Sequence, residues 1–494
     1  MDNNNSTFDT VFLEDDILIN AETPPELIET MHKEGYLQKL RTAKGLSYRI
    51  EKDIYARITD ADGKEKRGSK IISEGGIIDS RTFSDIIKRR LWERIDKCMT
   101  IDGKINHEAI ISSIERLKEE SPIHSIIFET GKAELIENII KQIDFDKIML
   151  ENLNILYEQE HEGRYVQHAQ NTAIFAIKMG TGYGLSKNTL VDLAKAGYLH
   201  DIGKIAIDPD IWKKQGNELT DQEKRQIKVH PLIGEYILEG ATFILKKKYD
   251  AKVIRGVGDH HERLTSKGGY PRGTRGDKIG DFARIIAIAS QFDNMLRDSI
   301  KGLEKSENDH HEINMITDTL DWLNKMAAQG WYDPKYVDIL SGFYTPAMAR
   351  VIGEKESTDE IKAIQNIFIG IEKAAGFMMN LHFDEVKSSH PKVSDYCNRI
   401  CSNAFQISRV IREAGITEPL LLVYSQEKNA VNDVKESLKK TVCCMDTPLK
   451  EMRECIDKFE LFAEGRSNSC DGIIDSVTTW YDVIDKTLRN AAIH

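Results

Sequence analysis

The chain has 494 residues and a formal net charge of −12, with 40% hydrophobic and 30% charged residues, 11 prolines and 33 glycines. Domains run to about 100–200 residues, so this length excludes a single ordinary core, and the composition excludes a disordered or fibrous chain. The acidic balance argues against binding duplex nucleic acid, because such binders present a basic face to phosphate. Local basic runs such as Lys88-Arg89-Arg90 and Lys246-Lys247-Lys248 read as solvated helix faces, and a small phosphorylated ligand remains compatible.

The first residues lack the basic start and apolar block of a secretory signal, and no apolar run reaches the roughly 18 residues of a membrane helix. A cytoplasmic chain without membrane contact is the expectation. Seven cysteines, an odd number at irregular spacings, fit reduced thiols better than a disulfide framework.

Residues 1–150 read as a small mixed α+β module with leading helices. Apolar and polar residues alternate over 48–72 around Asp60-Ala61-Asp62-Gly63, which predicts a hairpin. A calcium loop would need a third carboxylate and a closing glutamate that are missing, so the aspartates read as a turn. Helical spacing returns over 84–97 and again over 108–156. Residues 151–349 alternate helical apolar spacing with short loops rich in glycine, histidine and aspartate. Residues 350–494 return to amphipathic helix, including 403–412 and 432–440, interrupted near His390-Pro391 and Gly415-Ile416-Thr417. Such helices suit a homodimer contact or a signalling partner. The fold class expected is mainly α.

The chemistry concentrates in the middle. His200-Asp201-Ile202-Gly203-Lys204 follows the amphipathic run Leu190, Leu193, Ala194, Gly197 and Tyr198, so an imidazole and a carboxylate emerge together at a helix end. The ring nitrogen can bind one metal while the carboxylate bridges to a second. Alone, the pair would be an ordinary surface or capping feature. Its company is what matters: His168 lies on an earlier helical stretch, His230 opens a helix before Pro231, and His260-His261 ends the apolar run Val253, Ile254, Val257. Neutral imidazoles suit first-row metals, and a helical bundle can aim side chains from several helices at one point.

The ordered set His168, His200-Asp201-Ile202-Gly203-Lys204, His230-Pro231-Leu232-Ile233-Gly234, His260-His261-Glu262-Arg263 and Gly269-Tyr270-Pro271 resembles the HD-GYP phosphodiesterases over roughly residues 158–349. The resemblance implies a bacterial all-helical HD-type catalytic domain, flanked here by the small α+β module and the helical C-terminal region. It implies two divalent metal ions, iron or manganese, and hydrolysis of cyclic di-GMP to pGpG or GMP. By that resemblance His168, His200 and Asp201 hold one ion, and Asp201, His230, His260 and His261 hold the other. Two cations lower the pKa of a shared water so that hydroxide can attack phosphorus near neutral pH. Lys204 would reach a phosphate or the leaving oxygen, and Gly269, Tyr270 and Pro271 would form a wall of the pocket.

The chain departs from the family in places. An Asp-x-x-Asp-Ala segment usually completes the first metal site, and here the stretch is Ser290-Gln291-Phe292-Asp293-Asn294. A neutral hydroxyl is a poorer partner for a cation, so the first ion should be weakly held. Asp293 either substitutes or keeps a place near the pocket. Arg164 stands where three-metal members carry a glutamate, with Glu160 and Glu162 nearby. The ligand-gripping Arg-Pro-Tyr segment is missing, leaving Arg297 as the nearby candidate, and His310-His311 falls in a polar segment that reads as solvated. The alternative to an enzyme is therefore a degenerate domain acting as nucleotide receptor or scaffold.

Overall fold

The computed structural model describes residues 47–492 except 79–81, 83–84, 87, 131–133, 160–163, 213, 215–217, 246–248, 266–268, 302–308, 354–359, 382–389, 416–429 and 464–467. Glu160, Glu162, Gly268 and the triple lysine therefore lie outside the described residues, as do the side chains of His310 and His311.

Four strands open the described chain: β1 (Ser47–Ile50), β2 (Ile54–Thr59), β3 (Glu65–Ile72) and β4 (Met99–Asp102). β2 and β3 form the expected antiparallel hairpin. At its tip Asp60 Oδ1 accepts from the backbone of Asp62 at 3.1 Å and of Lys64 at 2.9 Å, so this carboxylate serves the turn. β1 pairs instead with β4, a strand that the helical spacing of 84–97 gave no hint of. Within that span Asp85, Ile86 and Lys88 are helical, and a 3₁₀ turn follows at Ile95–Lys97. Its apolar residues Ile86, Leu91 and Ile95 fill a small separate core with Ile50, Ile54 and Met99 rather than one stripe of a helix.

The rest is helical: α1 (His107–Glu120), α2 (Pro122–Glu129), α3 (Leu135–Lys141), α4 (Lys147–Gln159), α5 (Arg164–Tyr183), α6 (Lys187–Leu199), α7 (Pro209–Trp212), α8 (Asp221–Lys228), α9 (His230–Leu245) and α10 (Ala251–Asp259). There follow α11 (Asp281–Lys301), α12 (Asp309–Ala328), α13 (Pro334–Gly353), α14 (Glu360–Asn380), α15 (Pro391–Glu413), α16 (Ala430–Ala463) and α17 (Asn468–Ala492). Several start where side chains satisfy orphan amides: Asn106 caps α1, Ser186 caps α6, Asp250 caps α10, and Thr220 with Glu223 makes a capping box on α8.

α5 is the hub. It is buried along nearly its whole length and packs against α4, α6, α11, α13 and α17. One continuous apolar core runs from Ile110 to Leu488, so helices on both sides of the histidine-rich segment share it. Trp480 of α17 is fully buried, stacked between Phe343 and Phe377, and donates its indole N–H to Gly182 O at 2.7 Å. A Cβ on Gly182 would fall 2.7–3.0 Å from Ile339, Phe343 and Trp480, so glycine is what lets α17 seat on α5. Truncating such a tryptophan costs about 3–5 kcal/mol. No helix among the described residues is long and apolar enough to cross a membrane.

Candidate metal centre

Four helices deliver the histidines. His168 sits on the buried face of α5, and His200 caps the C-terminus of α6 with Asp201 beginning the next turn. His230 is the first residue of α9, His260 caps the end of α10, and His261 follows it. The approach of these ends depends on Gly203, where a Cβ would lie 1.9 Å from His230 O. Any larger residue would push α9 and the His200-Asp201 turn apart.

The orientation of the rings follows from their backs. His200, His230 and His260 place Nδ1 at 2.8, 2.7 and 2.7 Å from the carbonyls of Gly197, Ile227 and Val257, three residues earlier in each case. A carbonyl can only accept, so each Nδ1 carries the proton and each Nε2 presents a lone pair. His168 does the same through Asp293, with Nδ1 at 2.6 Å from its Oδ2. The Nε2 atoms of His168 and His200 then face each other at 3.2 Å, and those of His230 and His260 at 3.3 Å. Opposed lone pairs this close repel, and a cation among them relieves the repulsion. Such outer contacts fix tautomer and aim in metal-binding histidines generally.

Asp201 lies between the two pairs. Its Oδ1 is 3.1 Å from His230 Nε2 and 3.9 Å from His260 Nε2, while Oδ2 is 3.4 Å from His200 Nε2 and 3.7 Å from His168 Nε2. Two ligand sets result, each with donor atoms within 4.8 Å of one another: Asp201, His230, His260 and His261, and His168, His200 and Asp201. These residues fit metal ions.

Burial shapes the charges. It pushes the His200 imidazole down to about 4 and holds His260 and His261 well below the ordinary histidine value. All three are thereby kept neutral, the form a cation binds. Burial works against the Asp201 carboxylate, and against it the Lys204 ammonium on Oδ2 helps to hold the group well below the usual carboxylate range.

Lys204 donates to Asp201 Oδ2 at 2.6 Å, and its ammonium lies 4.8 Å from the Tyr165 ring centre and 4.7 Å from that of Trp212. Tyr270 stacks on His261, with centroids 4.6 Å apart at 22°, and so covers the second ligand set. Gly269 and Pro271 flank it in a loop close to Glu262; a Cβ on Gly269 would lie 2.9 Å from Glu262 Oε2. Ser290 Oγ is 3.2 Å from His168 Nε2, at the edge of the first ligand set. Asp293 stands behind His168 rather than among the ligands, paired with Arg297 Nε at 2.8 Å, and Arg297 also reaches Asn294 Oδ1 at 2.5 Å.

Several supports escaped the sequence reading. Arg272, next to Pro271, donates its backbone N–H to Glu262 Oε1 at 2.7 Å and pairs through its guanidinium with Asp259 at 2.9 Å and with Glu235. Arg255 adds an ion pair to Asp259 at 2.5 Å. This charge network ties the loop of Tyr270 to the residue before His260 and to α9. The spacing of Arg255 and Asp259, one helical turn apart, was the available signal. Trp212 and Tyr165 gave none, since aromatic residues at helical spacing are usually core.

The segment that holds these residues is similar to known proteins. A family model described as an HD domain matches residues 154–336. The chain is 33% identical over 126 residues to the 3'3'-cGAMP-specific phosphodiesterase 3 of Vibrio cholerae, covering 26% of each chain. It is 31% identical over 169 residues to the cyclic di-GMP phosphodiesterase response regulator RpfG of Xanthomonas campestris, covering 32% of this chain and 43% of that one. A cyclic di-GMP phosphodiesterase of Thermotoga maritima is 31% identical over 179 residues, covering 36% of this chain and 46% of the relative. The matched stretch thus spans less than half the length of these curated relatives.

Proposed function

The chain is an HD-GYP domain protein, and from that premise we propose that it is a metal-dependent phosphodiesterase acting on a cyclic dinucleotide, cyclic di-GMP in the first place. The observation that carries this reading is Asp201, with one carboxylate oxygen turned toward each pair of imidazoles. In this reading His168, His200 and Asp201 hold one divalent ion, iron or manganese, and Asp201, His230, His260 and His261 hold the second. When bound, such a pair supplies Lewis acidity that brings the pKa of water toward about 7 and draws charge from phosphate oxygens.

The chain's own residues do the rest. The Nδ1 contacts of His200, His230 and His260 hold their rings fixed, so nothing has to reorganise as substrate arrives. Lys204, now on Asp201, swings its ammonium toward a phosphate or leaving oxygen and donates a hydrogen bond there, a move of one flexible side chain. Tyr270, flanked by Gly269 and Pro271, excludes water from the His261 side and offers a ring face to a base. Asp293, which contacts the back of His168 and is itself paired with Arg297, acts on the substrate through that ring. Residues 151–349 carry the chemistry, with 1–150 and 350–494 framing it.

Purified protein loaded with manganese or iron should convert cyclic di-GMP to pGpG or GMP, followed by chromatography. Absence of turnover with either metal, wild type matching His200→Ala/Asp201→Ala, would overturn the reading. A panel including 3'3'-cGAMP separates cyclic di-GMP from its relatives. One observation favours a second reading, a nucleotide receptor without turnover: Ser290, not a carboxylate, lies beside His168. Tight binding of the dinucleotide with no product, and turnover gained in Ser290→Asp, would select it.

A further inference from the structure

A chain of buried polar side chains runs from the first ligand set to a helix outside the matched residues 154–336. Asp293 Oδ2 accepts from His168 Nδ1 at 2.6 Å, and its Oδ1 accepts from Asn171 Nδ2 at 2.6 Å. Asn171 Oδ1 lies 3.1 Å from His124 Nε2, and His124 Nδ1 lies 2.7 Å from Ser121 Oγ. His124, His168, Asn171 and Asp293 are all buried. Donor and acceptor roles are fixed along the line. The amide N–H₂ of Asn171 must face the carboxylate, so its oxygen faces His124 and accepts from Nε2–H, leaving His124 Nδ1 to accept from the Ser121 hydroxyl. Ser121 occupies the N-cap of α2 yet makes no side-chain cap bond there. Its hydroxyl goes to His124 instead.

We propose that Ser121, His124, Asn171 and Asp293 form a positioning chain that sets the tautomer and aim of His168, so that α2, outside the HD-domain match, controls the affinity of one metal ion. This rests on the metal reading above. A carboxylate keeps the proton on Nδ1 of His168 and the lone pair on Nε2, and Asn171 with Arg297 keeps that carboxylate from turning away. Each link removed lets the next rotate, so the effect should weaken with distance from His168.

The test uses the full chain, metal-free, in two measurements on wild type, Asp293→Asn and His124→Phe. In the first, ¹⁵N NMR of labelled histidines reads the tautomer of His168 without metal. Wild type should show Nδ1–H. Asp293→Asn, with one acceptor oxygen where wild type has two and donors facing both positions, should lose that fixed preference. In the second, calorimetric titration with manganese reads the ions separately. Asp293→Asn should weaken one ion by about 10–100-fold and His124→Phe, which keeps the ring stack on Phe175, by less, with the other ion unchanged. Wild type with Nε2–H, or both variants binding as wild type does, would overturn the positioning chain while leaving the metal reading intact. Equal loss of both ions would overturn it too, since that is what a merely structural role produces. A wild type that binds no manganese would instead overturn the metal reading from which the inference starts.

Discussion

The two halves of the candidate metal centre share Asp201 but are built differently. On one side three imidazoles surround its Oδ1 face, with Tyr270 stacked over His261. On the other, two imidazoles face Oδ2, the next polar group is the neutral hydroxyl of Ser290, and the Lys204 ammonium already holds that oxygen at 2.6 Å. A cation entering the second half has one anion to share and a lysine to displace. The difference teaches that two ligand sets of the same chemical type need not bind alike: donor count and local charge set the affinity, and here both favour the four-ligand side.

The most damaging way to break the comparison is to remove what the halves share. Asp201→Ala should strip metal from both and lower turnover by more than about 100-fold, the upper end for loss of even an outer partner of a ligand. Elemental analysis beside a turnover assay checks this. Removing ligands one side at a time sharpens it: His260→Ala should lose the tighter ion, whereas His168→Ala should leave that ion in place after gel filtration. Equal stoichiometry in the two variants would contradict unequal halves. A gain should come from Ser290→Asp, whose carboxylate beside His168 should raise the affinity of the weaker ion on the order of tenfold, read by competition with a chelator.

A separate effect, independent of bound metal, is on stability against pH. His200 in the five-histidine cluster and His124 behind His168 are both pushed down to about 4 by burial, against 6.5 when exposed. Between those values the unfolded chain holds protons that the folded chain does not, so stability is full above about 6.5 and falls as pH drops toward 4. Each group accounts for on the order of 3 kcal/mol once fully protonated. Thermal melts of the metal-free protein should show this slope, reduced in His124→Phe.

How much of this was legible in the sequence depends on which contacts are local. His200, His230 and His260 sit at helix ends, where the pattern of apolar residues stops, and their Nδ1 partners are backbone atoms three residues back. Motif and geometry therefore coincide there. The hairpin at Asp60 to Gly63 is local in the same sense. By contrast, β4 pairs with a strand near residue 50, and Arg272 reaches Glu235 on α9, contacts that no periodicity encodes. Ser290 was legible as the departure from the expected segment and Asp293 as the aspartate it keeps, but the hold of Asp293 on His168 required α5 and α11 to be packed together. Asn171 and His124 looked like ordinary residues of two unrelated helices.

Manganese titration of the metal-free full-length chain, with Asp201→Ala alongside, tests the convergence of these side chains most directly. Two ions of unequal affinity in wild type and neither in the variant is the result expected. No uptake by wild type, or uptake that Asp201→Ala leaves unchanged, would contradict it.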